Sequence, residues 1–359
     1  MDFSYDMSKS KQDNSSTTSL TICNCIFAIV SLFLSTFLVA YIYGFTDNIY
    51  TYIYRVAIFT LFKYVTFIFA YHISSIFVKR TNRVWFYRLG CFLLASLVII
   101  SIFAGEKIAE LLVLAGAVIG VSGGIYYSAY NVIRQEMVSR KVIGKVSIVM
   151  MLLQQSIEII FPFIFGTLID VSSYSTVAIF VLVLWAAQMM VSMFIKSQKT
   201  TDTQYKPIEY LKELKGNKEL SKKMSLIYLI SLFYGFSSVA SVMSNICILL
   251  QLGGSNTWFG IFTSLSTAVS ILCMLFVGKF TKEGERSWLF ISITAASVLG
   301  TIIFVIWPSI PTLIIYNVCM AIDSMIILSY VEVYRNKNLK EAGYYKYIAE
   351  HQTVVETIF

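Results

Sequence analysis

The chain has 359 residues, of which 57% are hydrophobic and only 13% charged, with a mean hydropathy of +0.73 and a formal net charge of +8. A soluble domain with that balance would leave large apolar patches in water, so the composition excludes soluble classes and makes the bilayer the solvent. The excess of basic residues is spread over short loops without interleaved aromatic residues, which excludes a nucleic-acid surface.

Residues 1–19 are polar with mixed charge, and no small-residue cleavage site follows the first apolar stretch, so that stretch reads as a span and not as a leader. Ten spans follow: 20–43, 52–77, 84–103, 107–130, 143–169, 174–195, 225–252, 257–278, 286–307 and 310–334. Each is long enough to cross about 30 Å of hydrocarbon as a helix at about 1.5 Å per residue. Of the 28 Lys and Arg, all but Arg55, Lys63 and Lys107 fall on alternate connections. By the positive-inside rule that face, with the N-terminus, is cytoplasmic. The six cysteines lie inside apolar spans, where they act as small hydrophobes and imply no disulfide framework. Only His72 and His351 are present, and there is no P-loop, nucleophile elbow or Gly-rich nucleotide fingerprint. The chain is not read as an enzyme, and no cofactor or metal is expected.

The stretch 196–224 is the one long polar connection, and it divides the chain into a bundle over 1–195, a basic cytoplasmic linker and a second bundle over 225–359. The two bundles share a pattern. Arg83 and Trp85 recur as Arg286 and Trp288, Tyr127 as Tyr330, and Arg134 as Lys337, each pair 203 positions apart. The same offset predicts an eleventh span starting near 346, with Phe359 opposite Ser156, so the second bundle reads as four helices and a partial fifth. Val354, Val355, Ile358 and Phe359 fit a span being entered. Glu350, His351 and Glu356 fit a terminal amphipathic helix on the inner leaflet instead.

Ionisable groups at mid-span cost about 2.5–3.5 kcal/mol to insert, so their helices must turn them toward protein or water. Lys63 lies near the middle of the second span, Glu158 of the fifth and Asp323 of the tenth. Ser147, Gln154 and Glu158 share one helical face, and a Lys63–Glu158 pair would bury both charges more cheaply than either alone. Gly116, Gly120 and Gly124 form a doubled small-xxx-small stripe suited to close helix packing. Pro162, one turn beyond Glu158, predicts a loosened helix. The tyrosines at 41, 43, 50, 52 and 54 read as an outer aromatic belt or as aromatic cavity walls.

Two basic loops carry a resemblance. One runs from Ser74 through Lys79, Arg80 and Arg83; the other is Gly278-Lys279-Phe280-Thr281-Lys282-Glu283-Gly284-Glu285-Arg286. With six spans, a basic linker and a second set, this layout resembles the major facilitator superfamily of secondary transporters. The first loop lacks the family's Gly and acidic residue; the second is nearer the pattern. The resemblance implies an all-α polytopic bundle of two six-helix halves, the second incomplete. It also implies a loop latch built on Lys79, Arg80, Arg83, Gly278, Lys282 and Arg286, weakened by the missing acidic partner. Lys63, Gln154, Gln155 and Glu158 would border the substrate path, with Asp323 a further candidate. The expected function is alternating-access movement of a small-molecule solute, with an ion coupled through Glu158 or Asp323. The rival is a truncated, non-transporting relative of the same fold. The expected setting is a monomer in the plasma-membrane bilayer, with no nucleic-acid partner.

Overall fold

The computed structural model describes residues 3–45, 48–137, 143–196, 205–225, 255–280, 286–307, 309–320 and 347–358, with isolated positions between them. Every regular element among these residues is helical. Helix α1 (Phe3–Leu32) widens into a π-type turn over Phe33–Phe37 and continues as α2 (Leu38–Tyr43). It is followed by α3 (Ile49–Arg80), α4 (Arg83–Ala104), α5 (Leu112–Met137), α6 (Ile143–Val171) and α7 (Tyr174–Ser192). A short helix in the linker, α8 (Pro207–Gly216), precedes α9 (Asn256–Phe280), α10 (Arg286–Ile306) and α11 (Ile348–Ile358).

Local chemistry sets these boundaries. Asn48, Asn82 and Ser173 precede α3, α4 and α7, and each side-chain oxygen accepts an N–H of the first turn, from Tyr50, Val84 and Thr176. Such caps satisfy donors that have no partner within the helix. Gly105 adopts φ 52°, ends α4 and leads into a tight turn over Gly105–Ala109. The fourth span's α-helix begins at Leu112 and not at the expected 107, because the tight turn takes up residues as far as Ala109. At 32 residues, α3 is roughly 48 Å long by its rise per residue, longer than the hydrocarbon, so its last turn with Lys79 and Arg80 reaches the membrane edge.

Six described helices are long and apolar enough to cross a membrane, matching the first six expected spans. In the second half, α9 and α10 occupy the expected spans at 257–278 and 286–307, and a shorter apolar helix covers Ile310–Met320. Apart from a few isolated positions, the expected span at 225–252 and the end of the tenth lie outside the described residues. Helices α4 and α10 both start at the arginine of the matched pair, Arg83 and Arg286.

The chain divides into two compact units. The first comprises Met1–Ile157, Ser172–Leu211 and Lys346–Thr357. Its central seam joins α3 to α5. The backbone of α5 at Gly116, Gly120 and Gly124 lies so close to α3 that a Cβ there would strike backbone atoms of Phe59, Lys63 and Phe67. The glycine stripe is thus a packing surface. Hydroxyls bridge the same seam: Thr66 donates to Ala117 O (3.1 Å), and Ser74 and Ser128 share a hydrogen bond of 2.6 Å. In lipid, where apolar burial gives helices no preference for each other over acyl chains, close backbone approach and such bonds carry association.

The second unit comprises Glu158–Val171, Lys212–Tyr345 and Ile358–Phe359. Here the latter half of α6 lies against the start of α9, with Gly166 facing the Asn256 backbone and Gly260 facing the carbonyl of Pro162. Asp170 caps α9, accepting Thr257 N–H at 2.8 Å and Asn256 Nδ2–H at 2.9 Å. Helix α10 pairs with Ile310–Met320 through Ser297 Oγ–H to Cys319 O (3.0 Å) and the stacked Phe304 and Tyr316 rings.

Candidate functional site

Polar and ionisable groups gather at four places. The first is the interior of the first unit. Tyr126 donates to Asn24 Oδ1 (3.0 Å), shares a hydrogen bond with Tyr87 (3.3 Å), and stacks on Phe27 at 3.5 Å between centroids, with Tyr127 edge-on. Gln188 of α7 donates to Cys23 O (2.9 Å) and to Cys91 Sγ (3.2 Å). These side chains are buried, and each hydrogen bond spares a polar group the cost of an apolar surrounding. The network ties α1, α4, α5 and α7 together. Nothing in the sequence singled it out, because its members are ordinary apolar-span residues whose convergence is set by helix rotation.

The second is the mid-span set. Lys63 sits half-buried on α3, its ammonium 5.4 Å from the centroid of the Tyr64 ring and its backbone against Gly120. Gln154, Gln155 and Glu158 are half-buried on α6. Lys63, Gln154 and Gln155 belong to the first unit and Glu158 to the second, each unit standing on its own terms. Asp323 is buried, with 3% of its surface exposed, four residues beyond Cys319. Pro162 lies within an unbroken helix, its carbonyl against Gly260.

The third is the basic end of α3, and there the structure adds a partner that the loop itself lacks. Lys79 Nζ meets Glu350 Oε1 of α11 at 2.6 Å, with side-chain exposures of 7% and 0%. The same oxygen accepts Lys206 N–H, just before α8, at 2.9 Å. Around this pair, Tyr210 of α8 and His351 Nδ1 share a bond of 2.8 Å, Thr353 donates to Ser75 Oγ at 3.3 Å, Thr357 lies 3.3 Å from His72 Nε2, and Tyr347 donates to Glu209 at 3.2 Å. Glu350, His351, Gln352 and Thr353 are buried, as is Tyr210. Burial pushes the phenol of neighbouring Tyr205 above its ordinary range. Of the other loop residues, Arg83 is buried and donates Nε–H to Val78 O (3.0 Å), while Arg80 is exposed. Gly278 and Arg286 lie within α9 and α10, and Lys282 falls outside the described residues.

The loop lacks an acidic residue, and the carboxylate that pairs with Lys79 comes from 271 positions downstream. Glu350 was visible in the sequence as one of the polar residues of the tail, with His351 and Glu356, but pairing over that distance is a property of the fold.

The fourth is the α6–α9 junction, where Asp170 gathers Ser255, Asn256 and Thr257. It acts as a helix cap across two elements, a role visible only once their ends meet.

Solved structures share this architecture. The human organic anion transporter MFSD10 (TETRAN) superimposes with a TM-score of 0.61 at 13% identity, over 96% of this chain and 91% of that one. The nucleoside transporter NupG (D323A mutant) gives 0.65 at 12% identity, over 95% and 87%. A bacterial homologue of the iron transporter ferroportin in its inward-facing state gives 0.58 at 10% identity, over 97% and 89%. At these identities the likeness speaks for the fold alone. By sequence, the chain is 26% identical over 264 residues to an uncharacterized Bacillus subtilis (strain 168) protein, YqgE, a stretch covering 72% of this chain and 60% of that relative's length. A family model described as Major Facilitator Superfamily matches residues 18–337, nearly the whole apolar body. The chain belongs to the Major Facilitator Superfamily, whose members are membrane transporters and not enzymes.

Proposed function

We propose that the chain is a secondary carrier that moves a small-molecule solute by alternating access, driven by an ion gradient and not by nucleotide hydrolysis. The observation that carries this reading is the retention of ionisable side chains deep in apolar helices, above all Asp323 at 3% exposure. Burying an acid in a membrane helix is costly, and a protein keeps one where it pairs, binds or exchanges a proton. On this reading Lys63, Gln154, Gln155, Glu158 and Asp323 border the path. Glu158 or Asp323 carries the coupled proton. Lys79, with Arg80 and Arg83, and the second loop with Gly278, Lys282 and Arg286, form latches that weight one conformation over the other. The distribution of Lys and Arg supports an N-terminus on the cytoplasmic side of a plasma membrane.

The test is proteoliposomes with a trapped pH-reporting dye, challenged with a panel of organic anions and nucleosides under an imposed pH gradient. At least one solute should move a proton signal that Glu158→Gln or Asp323→Asn abolishes, while Lys63→Met raises the solute concentration needed. No solute movement under any imposed ion gradient would overturn the reading.

A further inference from the structure

In the apolar bodies of the helices that build the first unit, residues 20–43, 56–71, 89–104, 112–133, 146–157 and 174–192, the sequence holds a single Lys, Arg, Asp or Glu, and it is Lys63. An ammonium at that depth is costly unless an anion, water or a π face answers it. Among the described residues the one partner of Lys63 Nζ is the Tyr64 ring, 5.4 Å to its centroid, and no carboxylate lies within ion-pair distance. The neighbouring basic side chains on α3, Arg55 and His72, are roughly 12 Å and 14 Å away by helical rise, and neither supplies a negative charge. Helix α11 brings Glu350 and Glu356 into this unit, but it meets α3 at Lys79, Ser75 and His72, the last still roughly 14 Å from Lys63.

Lys63 is also turned away from lipid. Phe62, Val65, Phe69 and Ile73 are exposed and recur at three- and four-residue steps, which marks the stripe of α3 that meets acyl chains. At about 100° per residue, Lys63, Tyr64 and Phe67 leave the helix more than about 110° from the centre of that stripe. The seam with α5 fixes this rotation, with the Lys63 carbonyl against Gly120 and the Phe67 ring across Gly123. Phe67 in turn tilts against Tyr127, 6.4 Å between centroids. All four side chains are half-buried, so one flank of the first unit presents an ammonium beside three aromatic rings. A lysine ammonium has three N–H donors, and a π face satisfies it only in part.

We propose that the solute is an organic anion: its carboxylate sits on the Lys63 ammonium and its flat apolar body lies against Tyr64, Phe67 and Tyr127. This rests on the carrier reading above and gives that path its class of solute. The carboxylate supplies the missing counter-charge through charge-assisted hydrogen bonds, and the rings take the body offset or edge-on. A neutral analogue of the same shape leaves the ammonium uncompensated, and a cationic one is repelled.

The experiment is calorimetric binding to the full chain in lipid nanodiscs, with empty nanodiscs subtracted, using three probes of one shape: 2-naphthoate, the neutral 2-naphthamide and the 2-naphthylmethylammonium cation. Naphthoate should bind about 10- to 100-fold tighter than naphthamide, with the cation weakest. Lys63→Met should remove that preference and leave naphthamide binding unchanged, Lys63→Arg should keep it, and Lys63→Glu should turn it toward the cation. A wild type that binds none of the three, or prefers the amide or the cation, overturns the proposal. So does Lys63→Met weakening all three alike, which marks a structural lysine, or a Lys63→Met, Glu158→Gln protein that regains the naphthoate preference, which marks a silent ion pair. If Lys63→Met does not fold, Lys63→Arg and Lys63→Glu decide: opposite preferences uphold the assignment and a shared one overturns it. A chain that moves a neutral or cationic solute under an imposed gradient keeps the carrier reading and loses this one.

Discussion

Replacing Glu350 by Gln should release α11, and the size of the effect can be worked from the geometry. The Lys79–Glu350 pair is 2.6 Å long with almost no solvent on either side chain. At an effective dielectric constant of about 20, the gross attraction at that separation is roughly 6 kcal/mol, most of it offset by the cost of taking both ions out of water. The net value of the intact pair is accordingly small. Removing one partner is different, because the surviving charge stays buried without compensation, and such losses run to about 3–5 kcal/mol. Undocking lets Lys79 regain water, so the loss emerges as a shift of roughly two to three and a half orders of magnitude in the docking equilibrium. A Thr353→Cys reporter reads it: residue 353 is 1% exposed when docked, and maleimide labelling, followed by peptide mass, measures the undocked fraction. Glu350→Gln and Lys79→Met should each accelerate labelling by about 100-fold or more, whereas the paired Lys79→Met, Glu350→Leu variant should return to within about tenfold of the parent. Additive effects of the two single changes would refute the claim that a buried ion pair holds the helix.

Three further outcomes follow from the packing. Gly120→Leu should sharply reduce the yield of folded protein by size-exclusion chromatography, because its Cβ would meet Thr66 Oγ1 and the Lys63 carbonyl and α3 cannot retreat without opening the whole seam; overpacking of this kind costs about 1–3 kcal/mol or more. Tyr126→Phe keeps the ring on Phe27 but removes the hydroxyl that serves Asn24 and Tyr87, so the melting temperature in detergent should fall by an amount consistent with about 1–3 kcal/mol, and Asn24→Leu in the same background should recover part of it. Asp170→Ala removes the acceptor of the first N–H groups of α9 and should cost about 0.5–2 kcal/mol, seen as faster amide exchange in residues 256–260; Asp170→Asn should be milder.

The first six spans were legible because a bilayer imposes a simple rule on every crossing, about twenty apolar positions in a row. The glycine stripe at 116, 120 and 124 was legible for a related reason, since small residues at four-residue spacing have few uses other than letting a second backbone approach. The start of the fourth helix was placed a few residues early because hydropathy does not register the tight turn over Gly105–Ala109. The mid-span charges were visible as anomalies, but their partners were not.

What the sequence by itself determined is the solvent, the first six apolar helices and the face of α5 that packs, all properties of local composition and period. What only the tertiary structure decided is which distant residues share a site: Glu350 against Lys79, His351 against Tyr210, Asp170 against Thr257. The physical reason is that a helix fixes its own turns through its backbone, whereas the rotation and neighbours of each helix are selected by the joint packing of all of them. A carboxylate in the tail therefore has no partner until α3, α8 and α11 are in place.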